Sequence, residues 1–239
     1  MRKSLKIPGC SILCLAVLAF AWTGCSKAGS STTVSAVTYL SLIHAAPYAG
    51  ASTVYLNDTL ITQSTGISTG AFSPKYGTIR PGSYAVKFKK AGVDSLFDQL
   101  GASSYDTLNF YTLLLYNDAN KAAHAMKIFD DYSGVANSGS SYYRFFHLAP
   151  DLPAVNVYFN GTKMEFNRTS ADNAISSGLN AFQPIQPGSY VVAVKDARTD
   201  SLIVQSPGIN MMSGNPFTIW VTGTKAQNNL SINVFQAQY

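Results

Sequence analysis

The chain has 239 residues, of which 46% are hydrophobic and only 12% charged. That balance excludes a disordered, highly charged polypeptide. The formal charge of +5 belongs largely to the N-terminus: without Arg2, Lys3 and Lys6, 14 cations face 12 acids, a net of +2, and no cluster of Lys and Arg suggests nucleic-acid binding.

In chain order, those three cations precede an apolar run from Ile12 to Ala21 and then small residues, the pattern of a secretory leader. The run is short for a bilayer span, which takes roughly 20 residues. Residues 22–26, Trp22-Thr23-Gly24-Cys25-Ser26, resemble a bacterial lipobox, with Trp22 where that pattern usually carries Leu. The resemblance implies cleavage before Cys25 and lipid attachment on it. Ser26 in place of Asp implies sorting to the outer membrane. A plain secretory signal with Cys25 incidental is the alternative. Cys10 and Cys14 leave with the leader, so Cys25 alone remains, and neither an internal disulfide nor a Cys-based metal site can form. The expected organisation starts with a signal peptide at 1–24 and a lipid-anchored polar tether at 25–36.

The rest of the chain repeats itself. Tyr39 to Pro47 resembles Tyr143 to Pro150, aligning His44 with His147. Val54-Tyr-Leu-Asn57-Asp58-Thr59 matches Val157-Tyr-Phe-Asn160-Gly161-Thr162. Pro81-Gly-Ser-Tyr84 matches Pro187-Gly-Ser-Tyr190, and Asp94-Ser-Leu96 matches Asp200-Ser-Leu202. Phe110 to Tyr116 is paired with Phe217 to Gly223, an offset of 107 against 106 for Pro81 and Pro187. Two repeats are expected, at 37–132 and 142–239, joined by a Gly/Ser-rich flexible linker at 133–141.

Within each copy the local patterns are those of strands. Tyr84 to Lys89 and Tyr190 to Lys195 alternate with period two, so Lys87 and Lys89 fall on a solvated face. Phe110 to Tyr116 and Phe217 to Val221 are nearly all apolar, as for central strands. Asn57-Asp58 and Asn160-Gly161 suit tight hairpin turns. Pro81-Gly82 and Pro187-Gly188 suit type II turns. Tyr84 and Tyr190 follow those turns and are placed to lock them through a hydroxyl-to-backbone bond, as in the tyrosine corner of β-sandwiches. No long amphipathic helix appears after the leader. The fold expected is all-β: two tandem immunoglobulin-like β-sandwich domains after a signal peptide.

Arg144-Phe-Phe-His147-Leu-Ala-Pro150-Asp151-Leu-Pro153-Ala-Val155-Asn-Val157-Tyr158-Phe-Asn160-Gly161 resembles the opening signature of the bacterial domain of unknown function 4397, and Pro187-Gly-Ser-Tyr190 its middle segment. The first copy keeps His44, Pro47, Tyr55 and Pro81-Gly-Ser-Tyr84 but has Tyr48 where Asp151 stands. The resemblance implies exported, often lipid-anchored β-sandwich domains of Gram-negative envelopes, with no established activity.

Chemistry-bearing residues are sparse. His44 and His147 each end a first strand, and a metal site needs three or four converging ligands. They are read as structural, bonding turn backbone near Pro47 and Pro150, with Asp151 as a capping acceptor. His124 has no counterpart. Asp130 and Asp131 are neighbours whose side chains would point to opposite strand faces. No nucleophile elbow, zinc helix or phosphate loop is present, so neither catalysis nor a cofactor is expected. Most tyrosines are expected to pack in strands; sugar stacking would need exposed rings, for which Tyr48, Tyr105, Tyr142 and Tyr143 are the candidates, whereas Trp220 sits in an apolar strand that suggests burial. Asp58-Thr59-Leu60, Asp94-Ser95-Leu96, Asp106-Thr107-Leu108 and Asp200-Ser201-Leu202 resemble a three-residue O-glycosylation sequon of some Gram-negative envelope proteins. The functional expectation is a non-enzymatic interaction, adhesion or structural module in the cell envelope. It would be held to the outer membrane through Cys25 and meet a protein partner; capture of glycan is the alternative.

Overall fold

The structure, a computed structural model, describes residues 36–135, 139–174 and 181–237. The leader, Cys25, the tether except residue 36, and linker residues 136–138 lie outside the described residues. The first repeat runs β1 (Thr38–Ala45), β2 (Ser52–Leu56), β3 (Thr59–Leu60), β4 (Gly77–Ile79), β5 (Gly82–Lys90), β6 (Leu96–Tyr105), β7 (Phe110–Asn117) and β8 (Ala123–Phe129). The second repeats the order as β9 (Ser141–His147), β10 (Val155–Phe159), β11 (Thr162–Arg168), β12 (Gln183–Ile185), β13 (Gly188–Asp196), β14 (Leu202–Met211), β15 (Pro216–Thr222) and β16 (Ser231–Gln236). Helix among the described residues is one 3-10 turn, Ser170–Ala174.

Each repeat is a sandwich of two four-stranded sheets. In the first, the inner sheet has the order β4-β1-β7-β8 and the outer sheet β3-β2-β5-β6. In the second, the corresponding orders are β12-β9-β15-β16 and β11-β10-β13-β14. The pairs β1/β7 and β9/β15 are parallel and the others antiparallel. The chain is therefore all-β, a tandem of immunoglobulin-like sandwiches. The two-residue hairpins fall at the Asn dipeptides: Asn57 and Asp58 take φ of 44° and 69°, Asn160 and Gly161 of 47° and 83°. Positive φ at both central residues is the turn that matches strand twist.

The turns at Pro81 and Pro187 differ from expectation. Neither Gly82 nor Gly188 takes a positive φ, so they are not type II turns. Instead the ring two residues on folds over the glycine, with Tyr84 Cε2 3.5 Å and Tyr190 Cε2 3.6 Å from where a Cβ would stand. The phenols donate to the carbonyls of Arg80 (2.9 Å) and Gln186 (2.7 Å).

The strand register also corrects one pairing of the repeats. His44 lies opposite Leu115 and His147 opposite Val221, an offset of 106. Phe110 thus corresponds to Pro216, and aligning it with Phe217 is wrong by one residue. In a strand such a slip exchanges the two faces. The correct register sends Leu113, Leu115, Ile219 and Val221 into their own sandwich cores and Leu114 and Trp220 out the other side.

That other side is not solvent. Ile43, Ala45, Leu114, Tyr116, Met126 and Ile128 of the first inner sheet form one cluster with Phe146, Leu148, Trp220, Phe235 and Ala237 of the second. Phe72 meets the Trp220 ring edge-on at 5.1 Å. The two inner sheets are packed face to face, and strands β1, β7, β9 and β15 are buried along nearly their whole length. This is why their sequences do not alternate.

A polar chain runs through the contact. Arg144 Nη2 meets Asp130 Oδ1 at 2.5 Å, with the two side chains 3% and 0% exposed. Asp130 Oδ2 accepts from Thr112 Oγ1 and from the Tyr76 hydroxyl, both at 2.7 Å. Tyr132 lies 2.6 Å from the Tyr76 hydroxyl and must be the donor, since Tyr76 spends its proton on Asp130. Arg144 Nε donates to Thr218 Oγ1 at 2.8 Å. Burial and the adjacent carboxylate push the Tyr76 phenol far above its ordinary value, so it stays protonated. Arg144→Met strands the carboxylate and is expected to cost about 3–5 kcal/mol. Asp130→Asn in that background should recover part of the loss, because it removes the charge and keeps an acceptor for Tyr76 and Thr112. Urea denaturation of the single and double variants measures both effects.

Candidate functional site

His44 and His147 are fully buried, one in each sandwich. His44 Nε2 donates to the Gly50 carbonyl at 2.9 Å, and the Ala46 N–H approaches Nδ1 at 3.4 Å. His147 Nε2 donates to the Pro153 carbonyl at 3.2 Å, and Asn173 Nδ2 donates to the His147 carbonyl at 2.6 Å. Each ring thus closes the turn holding Pro47 or Pro150. Asp151 does not cap its own turn: its two oxygens accept from the N–H groups of Lys225 and Ala226, both at 2.9 Å, in the loop between β15 and β16. At the matching place in the first repeat, the Tyr48 N–H donates to Asn117 Oδ1 at 2.9 Å. His124 pairs with Asp118 at 3.3 Å. No group of three or more His, Cys, Asp or Glu that could hold a metal occurs among the described residues.

The acidic groups are similarly engaged. Asp130 crosses to the second repeat, while Asp131 turns away and accepts from the Ser133 N–H at 2.9 Å. Arg168 binds Glu165 and Asp172, each at 2.8 Å, and donates to the Phe145 carbonyl at 3.1 Å. Burial works against its charge, but the two carboxylates hold the guanidinium above its ordinary value. These groups are spoken for and offer no poised acid or base.

The tyrosines follow the packed reading rather than the exposed one. Tyr105, Tyr142 and Tyr143 are 1%, 6% and 2% exposed, and Tyr48 is half-buried under Lys121, 5.0 Å from the ring centroid. None of the described tyrosines is fully exposed. On the outer sheets Tyr55 and Tyr158 carry lysines over their rings, Lys89 at 5.2 Å and Lys195 at 4.4 Å. These lysines in turn pair with Asp94 (2.5 Å) and Asp200 (3.3 Å). The rings are capped rather than bared for stacking. Trp220 is fully buried between the repeats.

An open groove of about 560 Å³ lies at one end of the second sandwich. Its floor is Phe159, Met164 and Ile185, and its polar edge is Thr162, Gln186 and Tyr190. It lies between the β10–β11 hairpin and β12. In the first repeat β3 has only two residues, after which Ile67 bridges Ser52 and Phe72 bridges Ile43. In the second, β11 continues alongside β10 for seven residues. Sequence reasoning missed these residues. The available signal was the shift in repeat offset, from 103 at Asn57 and Asn160 to 106 at Ile79 and Ile185, which places three extra residues in this stretch.

The fold and its duplicated turns define a tandem β-sandwich protein of a single repeating family. The chain belongs to the family described as Domain of unknown function (DUF4397), which matches residues 38–158 and again 141–238. No curated protein matches it. Among solved structures, the chain is similar at 11% identity and a TM-score of 0.24 to CBMbc (family CBM26) from Eubacterium rectale Amy13K in complex with maltoheptaose, over 85% of this chain and 98% of that one.

Burial lowers the pKa of both His44 and His147 below the ordinary histidine value. The unfolded chain then binds more protons than the native one at mildly acid pH, so stability rises with pH through that window. Stability should be level above the ordinary histidine range and fall as the pH drops from about 7 toward 5. In the variant His44→Gln/His147→Gln that slope should flatten, although the midpoint at pH 7 also drops. Denaturant midpoints recorded against pH for both proteins provide the check.

Proposed function

We propose that this chain is a non-enzymatic binding module of the cell envelope. It is carried on lipid at Cys25 behind the tether 25–36, sorted to the outer membrane, and engages a protein partner. The observation that supports this most is where the chemistry-bearing groups are spent. Both core histidines close turns, Asp130, Glu165 and Asp172 are bound by arginines, and the inner sheets cover each other. What is left to meet a partner is the outer sheets, the loops and the groove beside Thr162 and Gln186. An apolar floor with a few polar groups at its edge is a common form of binding site.

A glycan is the second reading. The half-buried ring of Tyr190 beside the hydroxyl of Thr162 and the amide of Gln186 favours it.

The anchor is tested by metabolic labelling with a palmitate analogue. Label is expected on the wild type and none on Cys25→Ala; an unlabelled wild type removes the lipid. The groove is tested with Thr162→Trp, which fills it from an exposed position. A partner captured from envelope extract by the wild type should be retained about tenfold less by the variant at equal thermal stability, a loss of about 1.4 kcal/mol. Equal retention moves the contact elsewhere. A glycan array blank for the wild type eliminates the second reading.

A further inference from the structure

Four surface triplets share one composition: Asp58-Thr59-Leu60, Asp94-Ser95-Leu96, Asp106-Thr107-Leu108 and Asp200-Ser201-Leu202. In this chain every Asp that is followed by Ser or Thr is followed next by Leu. Turn chemistry accounts for the first two residues, since Asp, Ser and Thr bond nearby backbone and start strands. It does not account for the leucine.

The leucines are also unexplained by packing. All twelve positions are exposed. Leu60, Leu96, Leu108 and Leu202 are 37%, 47%, 62% and 55% exposed, and they make up four of the nine large hydrophobic side chains left in water among the described residues. Leu108 also takes a φ of 61°, a left-handed conformation that a bulky side chain rarely adopts and that Asn or Gly would fill with less strain. These leucines sit beside different strands: β3 begins at Thr59, β6 at Leu96, β14 at Leu202, and Leu108 precedes β7. They mark a short local feature repeated four times.

The neighbouring groups suit an acceptor. No hydrogen bond engages the hydroxyls of Thr59, Ser95 or Thr107, and Ser201 Oγ meets only its neighbour Thr199 Oγ1, at 2.8 Å. Three of the carboxylates are steadied by lysines: Asp58 by Lys87 at 2.6 Å, Asp94 by Lys89 at 2.5 Å and Asp200 by Lys195 at 3.3 Å. Each triplet presents a negative charge, an accessible hydroxyl and an apolar side chain in that order, enough for an enzyme to read by charge and by a small apolar pocket.

We infer that the four triplets are O-glycosylation sites, with Thr59, Ser95, Thr107 and Ser201 as acceptors. The acceptor Oγ attacks the anomeric carbon of a sugar activated as a phosphate ester of a lipid or nucleotide. The bond from that carbon to the phosphate oxygen breaks, and the phosphate leaves with the electron pair. The hydroxyl proton passes to a base on the transferase, and one glycosidic bond replaces one phosphoester bond with no change of oxidation state. The inference rests on the export reading, because the transferase acts on chains delivered to the envelope.

The test uses full-length protein isolated from the envelope of the cells that make it, with peptides sequenced by electron-transfer fragmentation so that attached sugars survive. Hexose-type increments are expected on Thr59, Ser95, Thr107 and Ser201. At one triplet, Asp94→Asn and, separately, Leu96→Gln should each abolish the increment on Ser95, leave the other three in place and leave thermal stability unchanged. Bare hydroxyls at all four sites in protein with a processed N-terminus overturn the inference while leaving export intact. So does a phosphate in place of sugar, or a Ser95 increment that survives both substitutions. Protein that keeps its leader and carries no sugar overturns both readings.

Discussion

The structure turns on the burial of two sheets against each other. Each repeat alone would be a sandwich with one inner sheet showing Ile43, Leu114 and Ile128, or Phe146, Trp220 and Phe235, to water. Burying an aliphatic or aromatic side chain contributes roughly 1.5–3 kcal/mol, so leaving this set exposed on either repeat would be costly. Covering one inner sheet with the other removes both liabilities together. It also makes the inner strands apolar on both faces, which is why β7 and β15 admit so few polar residues.

The polar chain crosses that contact with one charge from each side. A buried ion pair is weak grounds for added stability, since desolvating two charges offsets most of their attraction, and its best-attested use is to fix register. Here the pairing is asymmetric between the repeats. Ser41 occupies the position of Arg144, and Ala237 that of Asp130, by strand register and by the backbone bonds to Phe110 and Pro216. The two inner faces are therefore complementary, one carrying the cation and the other the anion. Two copies of the same face would bury two like charges or leave them without a partner. With Thr112 and Thr218 at equivalent positions, one turned to the carboxylate and one to the guanidinium, duplication has been adapted to a contact between unlike halves.

This arrangement leaves the outer sheets and the loops as the accessible surfaces. The inner faces are occupied, and the His and Tyr positions repeated in the two copies serve the turns that set strand ends. The copies also differ at one edge. One copy closes its side with the segment through Ile67 and Phe72; the other extends β11 and leaves the groove by Thr162 and Gln186. The residues that keep the fold are thus separate from those at the exposed edges.

Much of the fold was legible in the sequence because its signals are local. The Asn57-Asp58 and Asn160-Gly161 turns follow from backbone sterics, and the alternation of Tyr84 to Lys89 from the two faces of a strand. The duplication itself shows in residue identities. The tyrosine hydroxyls at Arg80 and Gln186 follow from the short separation of ring and turn, although the glycines beneath them were misread, because the ring's position over Gly82 and Gly188 is a packing fact and not a dipeptide preference. Long-range contact decided the rest. The partnership of Asp130 with Arg144, the burial of Tyr105, Tyr142 and Tyr143, the one-residue correction of β15 and the groove beside β11 depend on which sheet covers which. An apolar strand reads the same whether its second face meets its own core or another domain's. Only the tertiary structure could decide that these two inner sheets bury each other.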